Sequence, residues 1–189
     1  MIVLAYIIFF LLITIVSIAT VLFLIYVLES LIRGHDLPTS RRATRALVKI
    51  IKQHKPDAKN FYDLGCAHGG LSLAIKKNLP DLDVYGVDNS AVRIFFATLK
   101  SKIFGGRVNF TKQDIFNVDL RQADIVYTYL WYDRMSPLEK KLQNELQERT
   151  IVVTNTSNFP TWRPVDAVIT CPEVSTMPNF ETLFVYMKQ

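Results

Sequence analysis

The ten residues from Phe61 to Gly70, FYDLGCAHGG, leave the chain few folds to choose from. An apolar run closes on an acid, Asp63. Gly65 follows two residues later, small residues lead to Gly69 and Gly70, and LSLAIKKNL then carries helical character. This predicts a strand, a tight glycine turn and a helix start. Glycine lets the backbone pass close to a ligand, and the first turn of a helix offers free N–H groups and positive dipole. A carboxylate at the mouth of such a strand suits a ligand bearing an ammonium or hydroxyl groups better than a pyrophosphate. An ordinary strand-to-helix turn is the plainer reading.

The pattern returns twice. Asp83–Asp88 reads as a second strand ending in an acid, 25 residues after Asp63. That is roughly the interval at which an acidic residue meets the ribose hydroxyls of a nucleotide. Capping the next helix is the alternative role, although Asn89 or Ser90 could serve there instead. A helix over 91–102 follows, with Ile94, Phe95 and Leu99 expected inward. Gly105-Gly106 breaks the chain before a short third strand at 108–111 and then Asp114-Ile115, where a turn aspartate is the other reading. Ala123–Tyr129 is a strongly apolar fourth strand that runs into Leu130, Trp131 and Tyr132. Those aromatics either wall a narrow pocket or pack the core. Ser136-Pro137-Leu138-Glu139 has the form of a capped helix start, with Leu138, Leu142 and Leu146 inside. Residues 150–155 form a fifth strand, and 167–171 with 182–187 a final antiparallel pair. Strands alternating with helices imply an α/β, doubly wound, seven-stranded Rossmann-like sheet with ligands at the carboxyl ends of its strands. Asp63, Asp88 and Asp114 fall there on successive strands.

Asp63-x-Gly65-x-Ala67-x-Gly69 resembles motif I of the class I S-adenosylmethionine (SAM) methyltransferases, roughly acid-x-Gly-x-Gly-x-Gly. Ala67 replaces the middle glycine, and His68 fills a variable position. The rival is a dinucleotide fingerprint, G-x-G-x-x-G, laid on Gly65, Ala67 and Gly70, which also lacks its second glycine. The methyltransferase resemblance implies SAM as cofactor. Asp63 and the turn residues Gly65, Cys66, Ala67 and Gly69 would cradle it. Asp88 and Asn89 would meet the ribose, Asp114 the adenine amino group, and Ile115 the face of the ring. Tyr129 and Trp131 are candidates for the acceptor pocket, and no residue stands out as a catalytic base. The Asn/Asp-Pro-Pro-aromatic motif of enzymes that methylate amino groups of adenine or glutamine is absent, which counts against those substrates.

The resemblance extends from Leu37-Pro38-Thr39 through LEKKLQNEL to NFPTWRP. This stretch is similar to a small family of membrane-anchored protein-lysine methyltransferases. Its mitochondrial members carry one hydrophobic N-terminal segment and act on lysines of the adenine nucleotide translocase or the ATP synthase c-subunit; soluble archaeal relatives methylate lysines broadly. Members usually have an acid where this chain has His68, and Glu where it has Asp88. The resemblance implies methylation of lysine in a protein substrate that is itself membrane-associated. An RNA or small-molecule methyltransferase and an inactive SAM-binding membrane scaffold are the alternatives.

The N-terminus supports an anchor. Ile2 to Leu28 contains no charged residue. As a helix these roughly 27 residues span about 40 Å, enough to cross a bilayer with some tilt. The basic n-region and small-residue cleavage site of a signal peptide are missing. The expected organisation is a transmembrane anchor at 1–28, a linker at 29–40 that includes His35-Asp36-Leu37-Pro38-Thr39, and a methyltransferase domain at 41–189. Arginine and lysine cluster after the span, which puts the domain on the cytoplasmic side, or the matrix side in a mitochondrion. Ser40–His54 reads as a helix with Leu47, Ile50 and Ile51 on one face and Arg41, Arg45, Lys49 and Lys52 on another. That basic face is either solvated or laid against anionic headgroups. The net charge of +5 permits contact with nucleic acid without implying it, and none is expected. Two cysteines, Cys66 and Cys171, make no disulfide framework, and no metal-type cluster is evident.

Overall fold

The structure is a computed structural model that describes residues 2–33, 37–173 and 180–189. The chain forms two compact units, Met1–Asp36 and Leu37–Gln189. The first is one helix, α1 (Ile2–Arg33), which continues beyond the charge-free run. Its apolar side chains are exposed around the helix. Of the expected linker, Glu29 to Arg33 is helical, His35 and Asp36 lie outside the described residues, and Leu37–Ser40 has no regular structure.

The second unit opens with α2 (Arg41–His54). Ser40 caps it by accepting from the Ala43 N–H, and Ala43, Leu47, Ile50 and Ile51 are its buried stripe. Then come β1 (Asn60–Leu64), α3 (Gly70–Asn78), β2 (Asp83–Asp88), α4 (Ala91–Phe104), β3 (Val108–Lys112) and β4 (Ile125–Thr128). The chain ends with α5 (Tyr132–Glu145), β5 (Ile151–Asn155), β6 (Asp166–Ile169) and β7 (Thr182–Met187). The seven strands are ordered β3-β2-β1-β4-β5-β7-β6. The first five are parallel, and β7 enters antiparallel between β5 and β6. Strand order reverses at β1, so ligands are expected over the carboxyl ends of β1, β2 and β4.

The two faces of the sheet are covered differently. On one, α2 and α3 pack with Phe61, Val84, Ile125, Ile151 and Val185, and Ala97 of α4 lies close to Gly69 and Phe110. On the other, Leu138 and Leu142 of α5 pack with Leu64, Val126, Val152 and Tyr186. Each leucine withdrawn from water there contributes about 2 kcal/mol. Among the described residues after β5, no helix covers this second face. The segment 157–165 does so instead, through Phe159 and Trp162, whose rings contact Tyr186. A single carboxylate holds that segment down. Glu139, buried in α5, accepts from the Thr161 hydroxyl at 2.6 Å, from the Thr161 N–H and from the Trp162 N–H.

Two sequence expectations are corrected. The helix start read at Ser136-Pro137 is wrong: α5 begins at Tyr132, Pro137 lies inside it, and Glu139 binds the 161–162 backbone rather than its own helix end. The first turn is tight, with the Arg134 N–H donating to the Trp131 carbonyl, and Trp131 offers no side-chain cap. In α4, Phe95 and Leu99 are exposed, whereas Ala97 is buried. The helix turns its smallest side chain inward because Phe110 of β3 already fills the space over Gly69 and Gly86.

Candidate active site

The turn between β1 and α3 alternates backbone hand. Gly65, Ala67 and Gly69 have φ of 81°, 47° and 72°. The Gly65 and Cys66 N–H groups both donate to the Val87 carbonyl, which ties the turn to β2. A side chain at Gly69 would strike Phe110 and Ala97. Ala67 therefore occupies the left-handed geometry that glycine favours, at a cost of about 1 kcal/mol.

Asp63 and Asp88 flank this turn, both buried. The Ser72 hydroxyl of α3 donates to Asp63 Oδ2 at 2.5 Å. Burial nevertheless pushes the Asp63 carboxyl up to about 7; Ser72 works against that rise, and Asp88 adds to it. Asp88 Oδ2 accepts from the Ala67 N–H at 3.1 Å and Oδ1 from the Ser90 N–H at 2.9 Å. The Arg93 guanidinium lies 3.9 Å from Oδ2. Ser90 caps α4, so Asp88 is an anchor for the glycine turn rather than the helix cap. Each of its oxygens keeps a lone pair for a further donor. Cys66 is buried and its thiol pushed up, chiefly by desolvation and then by Asp63 and Asp88. Asn89 is exposed just past β2.

Asp114 is exposed after β3 and accepts from the Phe116 N–H, with Ile115 half-buried beside it. The Gln113 N–H donates to the Asp88 carbonyl, which draws this loop to the end of β2. The three predicted acids thus stand at the carboxyl ends of the neighbouring strands β1, β2 and β3.

Beyond β4 the geometry is polar and hydrogen-bonded. Tyr127, paired in register with Asp63, is buried. Its hydroxyl lies 2.8 Å from Thr39 Oγ1 and accepts from Asn155 Nδ2 at 3.1 Å. Burial, more than any partner, holds this phenol protonated well above its ordinary range. Tyr129 is half-buried, and burial pushes its phenol up, whereas Trp131 is 70% exposed. Ser157 donates to the Leu130 carbonyl and Tyr132 to the Thr156 carbonyl, joining the loops after β4 and β5. Glu181, buried, accepts from the Ser40 N–H and the Cys171 thiol. Ser72, Tyr127, Asn155 and Thr39 escaped the sequence reading. Asn155 alone left a signal, a polar side chain closing an apolar strand.

This donor set fits a cationic, polyhydroxylated ligand. A buried acid poised near neutrality gains from a nearby ammonium, Asp88 has lone pairs for hydroxyls, and the left-handed turn permits close backbone approach.

Comparison with known proteins agrees. A family model described as the ANTKMT methyltransferase domain matches residues 63–166. A protein-lysine N-methyltransferase of Saccharolobus islandicus is 27% identical over 70% of this chain and 82% of its own. A carboxy-S-adenosyl-L-methionine synthase of Campylobacter hominis is 30% identical over 48% of this chain but only 39% of its own length. Among solved structures, an RNA methyltransferase of Salinibacter ruber in complex with S-adenosyl-L-homocysteine superposes over 80% of this chain and 93% of its own, with TM-score 0.68 and 20% identity. Magnesium protoporphyrin IX methyltransferase of Synechocystis, with bound SAM, covers 78% of this chain and 79% of its own, with TM-score 0.60 and 15% identity. At those identities the likeness is one of fold. The family match spans the glycine turn, all three strand-end acids and the Glu139 clamp, and the chain belongs to the ANTKMT methyltransferase domain family of class I SAM-dependent methyltransferases.

Proposed function

We propose that this SAM-dependent methyltransferase acts on lysine side chains of a membrane-associated protein and is itself tethered by α1. The observation that carries the reading is Asp63, a buried acid held near neutral pKa beside a left-handed glycine turn. Asp63 would take the amino group of the cofactor, and Asp88 with Asn89 its ribose. The backbone of Gly65, Cys66, Ala67 and Gly69 would lie along its amino-acid portion. Asp114 would accept from the adenine amino group while Ile115 packs on the ring. Bound SAM supplies an electrophilic methyl group.

The acceptor side belongs to β4 and β5. A lysine has an ordinary pKa near 10.4 and must shed its proton before it can act as a nucleophile. The Tyr127–Asn155–Thr39 group offers a desolvated wall that favours the neutral amine, and Tyr129 and Trp131 lie on the loop leading away from it. Alignment of the acceptor supplies much of the rate, so no dedicated base is assigned. The lysine N-methyltransferase relative supports the substrate class.

Support for the tether is the span Ile2–Glu29, long and apolar enough to cross a membrane, with none of its residues buried. Such a tether raises the effective concentration of membrane-protein acceptors. The basic residues that follow it favour the cytoplasmic or matrix side. The deciding experiment is mass spectrometry of membrane proteins from cells with and without the chain, together with transfer of labelled methyl groups to the same fraction by purified enzyme. Lysine mass shifts of one to three methyls that vanish with the gene are expected. Label appearing in RNA, or SAM binding without turnover, would overturn the lysine reading.

A further inference from the structure

The two helical layers differ in charge as well as in packing. Over the face carrying α2, α3 and α4, the helices hold five, two and three lysines and arginines, and no aspartate or glutamate. On the opposite face, α5 is balanced, with three acids and three bases. The acid-free run continues beyond α4: between Asp88 and Asp114 there are five basic residues and no acidic one. Acids border the layer only at its margins: Asp57, Asp81 and Asp83 lie at the amino edge of the sheet, Asp166 lies 3.7 Å from His54 at the end of α2, Glu173 pairs with Arg42, and buried Asp88 draws Arg93 inward.

The same layer carries an apolar ridge. Phe95, Leu99 and Ile103 recur every fourth residue along the outer side of α4. Phe95 is 50% and Ile103 65% exposed, and Phe104, at the helix end, 77%. Large apolar side chains standing in a field of lysine and arginine are poorly suited to water; bases could stack on Phe95 and Phe104, but RNA gives the aliphatic Leu99 and Ile103 nothing to do. They match an interface in which acyl chains receive the ridge and anionic headgroups receive the bases.

We infer that the α2–α3–α4 layer is a lipid-docking face, which lies on an anionic bilayer surface with the α4 ridge dipped below the headgroups. The carboxyl edge of the sheet then stands beside the bilayer, within reach of lysines at the membrane surface. The inference goes beyond the tether and does not require α1 to cross the membrane.

The test uses the full chain with Cys171→Ser, Cys66 being buried. Nitroxide labels are placed singly at Ile103→Cys, Phe104→Cys, Asn144→Cys on exposed α5 and Val16→Cys in α1. The protein is studied with vesicles of phosphatidylcholine, and with vesicles of equal parts phosphatidylcholine and phosphatidylglycerol. In the mixed vesicles the labels at 103 and 104 are expected to lose collisions with a water-soluble nickel chelate and gain collisions with oxygen, while the label at 144 stays in water. Charge reversal by Arg45→Glu, Lys49→Glu and Lys102→Glu should return residue 104 to water, with SAM binding retained as the sign of an intact fold. Labels at 103 and 104 as open to nickel as that at 144 would overturn the proposal. So would shielding that needs RNA, or that appears without lipid and grows with protein concentration. The label at 16 reports the tether separately: embedded while 103 and 104 stay wet, it leaves the anchor standing and this face refuted; wet while 103 and 104 are shielded, the reverse.

Discussion

Asp63 and Asp88 occupy one half of the sheet's carboxyl edge; Tyr127 and Asn155 occupy the other. The first half confines two acids in a dry place, and burial holds Asp63 at about 7. Its backbone is strained to the left-handed side at Ala67. In the second half the buried acid, Glu181, is already met by the Ser40 N–H and the Cys171 thiol. Tyr127, Asn155 and Thr39 satisfy one another, and burial keeps the phenol protonated. Arg93 lies beside Asp88 in the first half, which leaves Asp63 as the buried acid there whose partner, Ser72, carries no charge, whereas the groups of the other half satisfy one another. Strain and a buried acid in need of a partner are common where a ligand is held, while a self-satisfied network suits the acceptor wall proposed above.

The largest test of this contrast is Asp63→Asn. SAM affinity should fall on the order of a hundredfold or more, as expected when one partner of a buried charge pair is lost. The ligand-free protein should nevertheless become more stable at pH 8, by up to about 4 kcal/mol. In wild type below about pH 4 both folded and unfolded states hold the Asp63 proton. Between about 4 and about 7 only the folded state keeps it, so this residue's contribution falls as pH rises and is fully lost above about 7. SAM binding below pH 7 should therefore release a proton, which calorimetry in buffers of different ionisation enthalpy will detect. Equal affinity of Asp63→Asn and wild type would erase the distinction between the halves.

Next in size are two structural changes. Gly69→Ala puts a methyl group 2.5 Å from Phe110 at a φ of 72° and should cost about 3 kcal/mol of unfolding free energy, read by denaturant titration. Glu139→Ala strips the 161–162 backbone of its acceptor and should cost about 2 kcal/mol by the same measure. It should leave SAM affinity unchanged, because the clamp lies on the other face of the sheet.

Tyr127→Phe addresses the second half. It should leave the SAM dissociation constant alone while kcat for methyl transfer drops about tenfold, since its hydroxyl orders the acceptor side only. A change in SAM affinity instead would merge the two halves. The smallest effect belongs to Ala67→Gly. Relief of the left-handed alanine is worth about 1 kcal/mol, and the extra freedom of the unfolded chain takes back about half of it. A rise in Tm of a few degrees is expected, and a fall would show that this part of the turn carries no strain.

Much of the first half could be read from the sequence, because an acid closing an apolar run is conspicuous and recurs at Asp63, Asp88 and Asp114. The second half could not. Tyr127 is hidden inside IVYT, where an aromatic reads as core, and its partners lie 88 and 28 residues away. Ser72 sits among apolar neighbours in α3, and nothing in LSLAIKKNL singles it out. Ser136-Pro137-x-Glu139 has every local mark of a cap, yet Glu139 serves a tertiary contact that no local rule describes. Phe95 and Leu99 defy the rule that apolar side chains on a helix seek the core, and no local pattern marks them as exposed.

Thr39 and Ser40 carry a practical lesson about where this protein can be cut. A fragment begun at Arg41, to shed the greasy leader and gain solubility, would discard the hydroxyl that meets Tyr127 and the cap that also binds Glu181. Such a fragment would fold around a frayed first turn and leave the buried Tyr127 hydroxyl without its Thr39 partner. Shortening at Leu37 keeps both residues, so two fragments differing by four amino acids should behave as different enzymes.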